Sequence, residues 1–201
     1  MSGELHRRRS IRLRGFDYTS GGQYFVTICT HEKDCLFGEV IQDQMFLNKE
    51  GKIVWECWMD IPKHFSNACV FEEAFVVMPN HVHGIVEIVA DDAGVHCGGK
   101  ADRRENMPSG CRGTACCAPT EYPAFQNIIP GSLGTIIRSF KSAVTKRIND
   151  LWSVSDQSIW QRNYFERIIR NEKELGCMQD YILNNPSHWG QDEENPALIV
   201  A

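Results

Sequence analysis

Glu73-Ala74-Phe75-Val76-Val77-Met78-Pro79-Asn80-His81-Val82-His83-Gly84-Ile85-Val86-Glu87-Ile88-Val89 holds two β-rich runs on either side of a Pro-Asn pair. Proline presets one turn torsion and asparagine tolerates the left-handed region, so the run reads as a hairpin at the centre of a sheet. Strand side chains alternate between faces, which puts His81 and His83 on one face and Val82 on the other. Two imidazoles on a shared face have the spacing to ligate a divalent metal. A His-x-His pair by itself is common in proteins without metal, so the reading depends on partners elsewhere in the chain.

Upstream, residues 23–30 are rich in β-branched and aromatic side chains after Ser20-Gly21-Gly22 and read as a strand; residues 35–40 read as another. Asn48 is placed to cap a helix whose apolar positions Ile53, Val54, Cys57, Trp58 and Ile61 recur at helical spacing until Pro62. Downstream, residues 91–131 carry glycines and prolines with no apolar period and read as a long flexible insertion. Ser132 opens a helix to about Asn149, with Leu133, Ile136, Ile137, Phe140, Val144 and Ile148 on one side. Residues 164–169 suit a strand, and Asn171 begins a last helix that buries Leu175, Met178, Ile182 and Leu183 and ends near Asn185-Pro186. This order predicts an α+β domain around an antiparallel sheet, over residues 23–190, between a basic arm at 1–22 and an acidic tail at 191–201.

Composition agrees with an ordinary globular domain: 201 residues, 42% hydrophobic and 23% charged. No run nears the roughly 18 apolar residues of a membrane span, and the N-terminus lacks the apolar core of a secretory signal, so the expectation is a cytoplasmic protein with no membrane partner. Nine cysteines, among them Cys29, Cys57 and Cys69 in apolar runs, suit reduced buried thiols. Cys97, Cys111, Cys116, Cys117 and His96 lack paired zinc spacing and read as part of the loop.

A formal charge of -5 argues against a nucleic-acid partner only if charge is spread evenly. It is not. Arg7, Arg8, Arg9, Arg12 and Arg14 face only Glu4 within residues 1–16, and Arg138, Lys141, Lys146 and Arg147 face only Asp150 within residues 132–150. Acid collects in residues 30–75 and at Asp192, Glu193 and Glu194. The bland reading of both basic stretches is a solvated surface.

On the last helix Tyr181 and Asn185 stand four residues apart, on one face. A tyrosine hydroxyl, with a pKa of about 10, needs a metal-polarised phosphate to attack. His81, His83 and Asn185 would hold that metal. The competing reading makes Tyr181 a half-buried aromatic and Asn185 a helix C-cap before Pro186.

Residues 76–84, Val-Val-Met-Pro-Asn-His-Val-His-Gly, resemble the core motif of single-tyrosine HUH transposases, where U is hydrophobic. Arg8-Arg9-Ser10-Ile11-Arg12-Leu13, Tyr24-Phe25-Val26-Thr27, Ser139-Phe140-Lys141-Ser142, the run from Trp160 to Asn171, and Asp180-Tyr181-Ile182-Leu183-Asn184-Asn185-Pro186 look like REP-associated tyrosine transposases in the same order. The resemblance covers nearly the whole chain outside residues 91–131. It implies a ferredoxin-like domain with a central antiparallel sheet and helices on one face, Mg2+ or Mn2+ as cofactor, and single-stranded or hairpin DNA as partner. Tyr181 maps onto the nucleophile, rather than Tyr164 in its own suggestive motif, and Asn185 onto the third ligand beside His81 and His83, with Asn184 adjacent. Arg7, Arg8, Arg9, Arg12, Arg14 and Lys141 would contact DNA, which would bring the protein to the nucleoid. A homodimer sharing its sheet is one candidate assembly. Two other classes compete: a non-catalytic DNA-hairpin-binding protein on the same fold, and a metal-dependent hydrolase of a small substrate.

Overall fold

Strand β1 (Gly22–Cys29) is the hub of the architecture, because it pairs antiparallel with a strand on each side. The computed structural model describes residues 21–89, 130–192 and 194–199. Along the chain follow β2 (Gly38–Ile41), β3 (Gln44–Leu47), α1 (Lys49–Met59), α2 (Ile61–His64), β4 (Ala68–Val77), β5 (His81–Ile88), α3 (Leu133–Trp152), β6 (Phe165–Ile169), α4 (Glu172–His188) and α5 (Pro196–Ile199). The main sheet has the order β4-β5-β1-β6, and β2 and β3 form a separate two-stranded ribbon. Pro79-Asn80 does turn one strand into the next, with β5 inside the sheet and β4 at its edge. The expected basic arm, with Arg7, Arg8, Arg9, Arg12 and Arg14, and residues 91–129 of the expected insertion lie outside the described residues.

Alternation divides the sheet into two unlike faces. Tyr24, Val26 and Ile28 of β1 and Val82, Val86 and Ile88 of β5 point to one face, where α1 and α3 bring Val54, Trp58, Ile136, Phe140 and Val144 into one buried cluster. Trp58 stacks on Phe75 at 4.5 Å between centroids and meets Phe140 edge-on at 5.2 Å. A Cβ at Gly84 would collide with both rings of the Trp58–Phe75 stack, so glycine there lets the helix approach the sheet. The opposite face carries a smaller cluster of Phe25, Ala74, Ile85, Ile169 and Ile182, over which α4 lies.

Capping follows the sequence signals closely. Asn48 accepts from the backbone N–H of Gly51 at 2.9 Å, and Asn171 accepts from Glu174 at 2.9 Å. Ser132 precedes α3 without a side-chain cap bond to the backbone. Four expectations change. The helices cover both faces of the sheet, α1 and α3 on one and α4 on the other, and not one face alone. The last helix does not end at Asn185-Pro186 but runs through Pro186 to His188. Pro186 lacks the N–H that would bond the Ile182 carbonyl; past it, in the last turn, the Ser187 hydroxyl and the His188 ring bond the Asn184 carbonyl at 2.8 and 2.9 Å. Leu183, expected in the core, is 61% exposed, because it lies about 100° around the helix from the buried Ile182. Cys69 is disulfide-bonded rather than a reduced thiol, whereas Cys29 and Cys57 are free. No helix among the described residues is long and apolar enough to cross a membrane.

Candidate functional site

His81 and His83 enter from β5 on the α4 face, as their two-residue spacing requires, while Val82 goes into the main core. Both are buried, at 0% and 3% exposure. Each ring is held at Nδ1. Asn80, itself fully buried, donates through Nδ2 to the carbonyls of Lys33 and Glu194 at 3.0 and 2.7 Å, which leaves its Oδ1 facing His81 Nδ1 at 2.8 Å. An amide oxygen only accepts, so His81 carries its proton on Nδ1 and presents a lone pair at Nε2. Thr27, directly opposite His83 in the β1–β5 register, places Oγ1 at 2.8 Å from His83 Nδ1 and can hold the same tautomer there.

The two Nε2 atoms converge to 3.0 Å. With Thr27 donating to His83 Nδ1, His83 Nε2–H donates to His81 Nε2 in an ordinary hydrogen bond; with both rings protonated at Nδ1, two lone pairs face one another and are poised to share a cation. Two ligands about 2.1 Å from an ion at a right angle stand roughly 3.0 Å apart, so the spacing is that of cis ligands. Burial lowers the pKa of His81, against the opposing pull of Asp192 and Glu194. Burial, and then the neighbouring His81, push His83 well below the usual histidine range. Both rings are thereby kept in the neutral form that metals bind.

α4 supplies the rest. Asn185 is 2% exposed, and its Oδ1 is buried without a hydrogen-bond partner, a state that ordinarily costs about 1–3 kcal/mol. Asn185 is therefore no C-cap: it is an interior helix residue turned against His81, whose charged form it favours. Asp192, a member of the expected acidic tail, adds a carboxylate. Its Oδ2 is 3.9 Å from His81 Nε2 and 3.5 Å from Asn185 Nδ2, and its Oδ1 accepts from the Glu194 backbone at 2.7 Å. Ligand atoms of His81, His83 and Asp192 all lie within 4.8 Å of one another. Neutral imidazoles, one carboxylate and an orphaned amide oxygen fit a divalent cation of borderline or hard character.

Tyr181 stands at the open side of this group, 47% exposed. Its hydroxyl is 3.4 Å from His83 Nε2, and its ring meets His83 edge-on at 5.0 Å and Phe25 at 6.0 Å. Tyr164 packs instead against the main core beneath α3. Lys141 is also elsewhere: its ammonium donates to the carbonyls of Gln161 and Asn163 at 2.9 and 3.0 Å and lies 5.6 Å from the Tyr164 ring. Cys29, opposite His81 in the register, has its thiol pushed up to about 12 by burial and then by Glu194, so it stays protonated and is no nucleophile at neutral pH.

Fold and site together define an antiparallel-sheet α+β protein with a His-His-Asp group, suited to a metal, under a helix-borne tyrosine. The chain is 41% identical over 189 residues, 94% of its length and 93% of the relative's, to a Haemophilus influenzae protein (strain ATCC 51907 / DSM 11121 / KW20 / Rd) described only as uncharacterized, and it belongs to that protein's family. No protein-family model matches it. Among solved structures it is similar to a REP-associated tyrosine transposase bound to a REP hairpin, with a TM-score of 0.51 and 18% identity, over 90% of this chain and 76% of that one. That likeness carries the fold.

Proposed function

We propose that this chain is a metal-dependent single-stranded DNA endonuclease and strand transferase of the single-tyrosine HUH type, acting in transposition or in the processing of repetitive hairpin elements. The observation that carries the reading is the Tyr181 hydroxyl 3.4 Å from His83 Nε2, at the exposed edge of the buried His81–His83–Asn185–Asp192 group. A tyrosine with its ring packed and its hydroxyl beside a cation site is built to attack a phosphodiester. The fold shared with a transposase solved on a REP hairpin supports a nucleic-acid partner.

His81 Nε2, His83 Nε2, Asn185 Oδ1 and Asp192 Oδ2 would hold Mg2+ or Mn2+. When bound, the metal supplies Lewis-acid stabilisation of charge on the scissile phosphate. Tyr181 Oη attacks phosphorus and its proton passes to solvent; the P–O3′ bond breaks and the departing oxygen takes up a proton as a free 3′-OH. The product is a 5′-phosphotyrosine. Because a phosphodiester has replaced a phosphodiester, a 3′-OH from another strand can attack the same phosphorus, release Tyr181 and join DNA without ATP. Phe25 and His83 orient the ring, while Asn80 and Thr27 hold the imidazoles. The arginines at 7, 8, 9, 12 and 14 would grip the backbone or the hairpin.

The test is incubation of the protein with single-stranded DNA flanking its gene, read on denaturing gels for a covalent adduct. Wild type and Tyr164→Phe should form it, with Tyr164→Phe within about tenfold of wild type; Tyr181→Phe and wild type in excess EDTA should not. Adduct formation by Tyr181→Phe would overturn the nucleophile, and undiminished adduct in EDTA would overturn the metal.

A further inference from the structure

Between α3 and the segment leading into β6 lies an open cleft of about 440 Å³. Its cations are Lys141, Lys146 and Arg162; its hydroxyls come from Ser142, Thr145 and Ser158, and no carboxylate lines it. In a chain with a formal charge of -5, such a concentration of cation without acid is a local exception. Lys146 and Arg162 are exposed, and neither forms an ion pair among the described residues. Lys141 has a different task. Its ammonium is spent on the Gln161 and Asn163 carbonyls, which fixes the loop that presents Arg162. Burial without a carboxylate partner lowers its pKa to about 8, so an incoming anion would relieve a real electrostatic cost.

The cleft also lies at the correct end of the sheet. Thr30 forms a β-bridge with Trp160, and Gln161 N–H bonds the carbonyl of Cys29 at 3.0 Å. Cys29 in turn sits opposite His81. Two strand spacings, roughly 10 Å, therefore separate the backbone of the cleft loop from that of the first histidine. The cleft opens on the α3 side and Tyr181 stands on the α4 side, so a strand with its reacting phosphate at Tyr181 would pass round this end of the sheet to enter the cleft.

We propose that this cleft is a second phosphate-binding site, which holds the sugar-phosphate backbone of the single strand whose scissile bond lies at Tyr181. The proposal rests on the DNA-cleavage reading above and adds where the flanking strand runs. Lys146 and Arg162 supply the charge, the three hydroxyls donate to phosphate oxygens, and Lys141 positions the loop. Such contacts bind backbone rather than bases, so they act on any sequence and weaken with salt.

The experiment measures binding of a fluorescein-labelled single-stranded oligonucleotide by anisotropy across a salt series. It compares wild type, K146E/R162E, the milder K146Q/R162Q, and a charge-matched control, K49E/K52E, at exposed positions on α1. K146E/R162E should weaken binding at least tenfold and reduce the salt slope by roughly 1.4, the share of two phosphate contacts to a single strand, with K146Q/R162Q changing in the same direction and the control within about twofold of wild type. A cleft variant that binds like the control, with an unchanged slope, overturns the proposal; so does a wild type that does not bind the oligonucleotide. Adduct formation is scored separately in the same samples. Wild type that binds through the cleft but forms no adduct sinks the cleavage reading and leaves the phosphate site standing, whereas adduct with an indifferent cleft does the reverse.

Discussion

The two faces of the β4-β5-β1-β6 sheet are made from the same strands, yet they have opposite chemistry. Under α1 and α3 every inward position of β1 and β5 is apolar or glycine, and the aromatic stack of Trp58 on Phe75 closes the packing. Under α4 the apolar cluster is small, and the positions that continue it along β5 are His83 and His81. A strand of period two lets one set of residues carry stability while the other set tolerates buried, imperfectly satisfied polar atoms. The Asn185 oxygen without a partner sits on this face, while the packed opposite face holds the sheet.

That division of labour predicts separable effects. The largest belongs to the packed face: Trp58→Ala, which removes a fully buried ring, should cost about 3–5 kcal/mol in urea denaturation and leave metal affinity of the folded protein near wild type. Loss of metal affinity from this change under native conditions would mean that the faces are coupled. On the other face, Asn80→Ala frees His81 Nδ1 from the oxygen that holds its tautomer, so metal affinity should fall about 10–100-fold by isothermal titration. An unchanged affinity would show that Asn80 only ties the turn to the Lys33 and Glu194 carbonyls.

Asp192→Ala comes next, with an expected affinity loss of about tenfold and a change in stability within about 1 kcal/mol. If metal binds as before, the carboxylate at 3.9 Å from His81 is a neighbour and not a ligand. The smallest effect concerns the rim outside both faces. Lys141 has its pKa lowered to about 8, so above that pH the unfolded chain retains a proton that the folded chain has lost, and stability rises with pH toward the ordinary lysine value. Discounted for partial exposure, the rise is about 1–2 kcal/mol. It should appear as a difference between wild type and Lys141→Met in denaturation between about pH 8 and 10. Cys29, whose thiol is pushed up to about 12 against the opposing pull of Lys141, changes stability in the opposite direction and is coupled to Lys141, so both proteins carry Cys29→Ser in this comparison. Parallel pH curves for the two proteins would contradict the buried ammonium.

The same contrast explains what could be read from sequence. Local signals were faithful: Asn48 and Asn171 cap the helices they precede, Pro79-Asn80 turns β4 into β5, and the two-residue period puts His81 beside His83. The four-residue spacing of Tyr181 and Asn185 on α4 was equally legible. What escaped depends on partners distant in the sequence. Asp192 looked like one more solvated acid, since only the folded chain brings it to a histidine more than 100 positions earlier. Asn80 read as a turn residue, although its three side-chain hydrogen bonds join the Lys33 turn, the tail and His81. The β2–β3 ribbon turns at Gln42-Asp43, both at positive φ, without the glycine that usually announces such a turn. Pro186 argued for a helix end, yet α4 continues through it to His188.

Mass spectrometry of the proteolysed adduct from wild-type protein and single-stranded DNA tests the central claim most directly. The expected product is a nucleotide attached through its 5′-phosphate to the peptide that contains Tyr181, with a free 3′-OH on the released strand. Attachment at Tyr164, or cleavage that leaves both DNA ends unattached to protein, would contradict it.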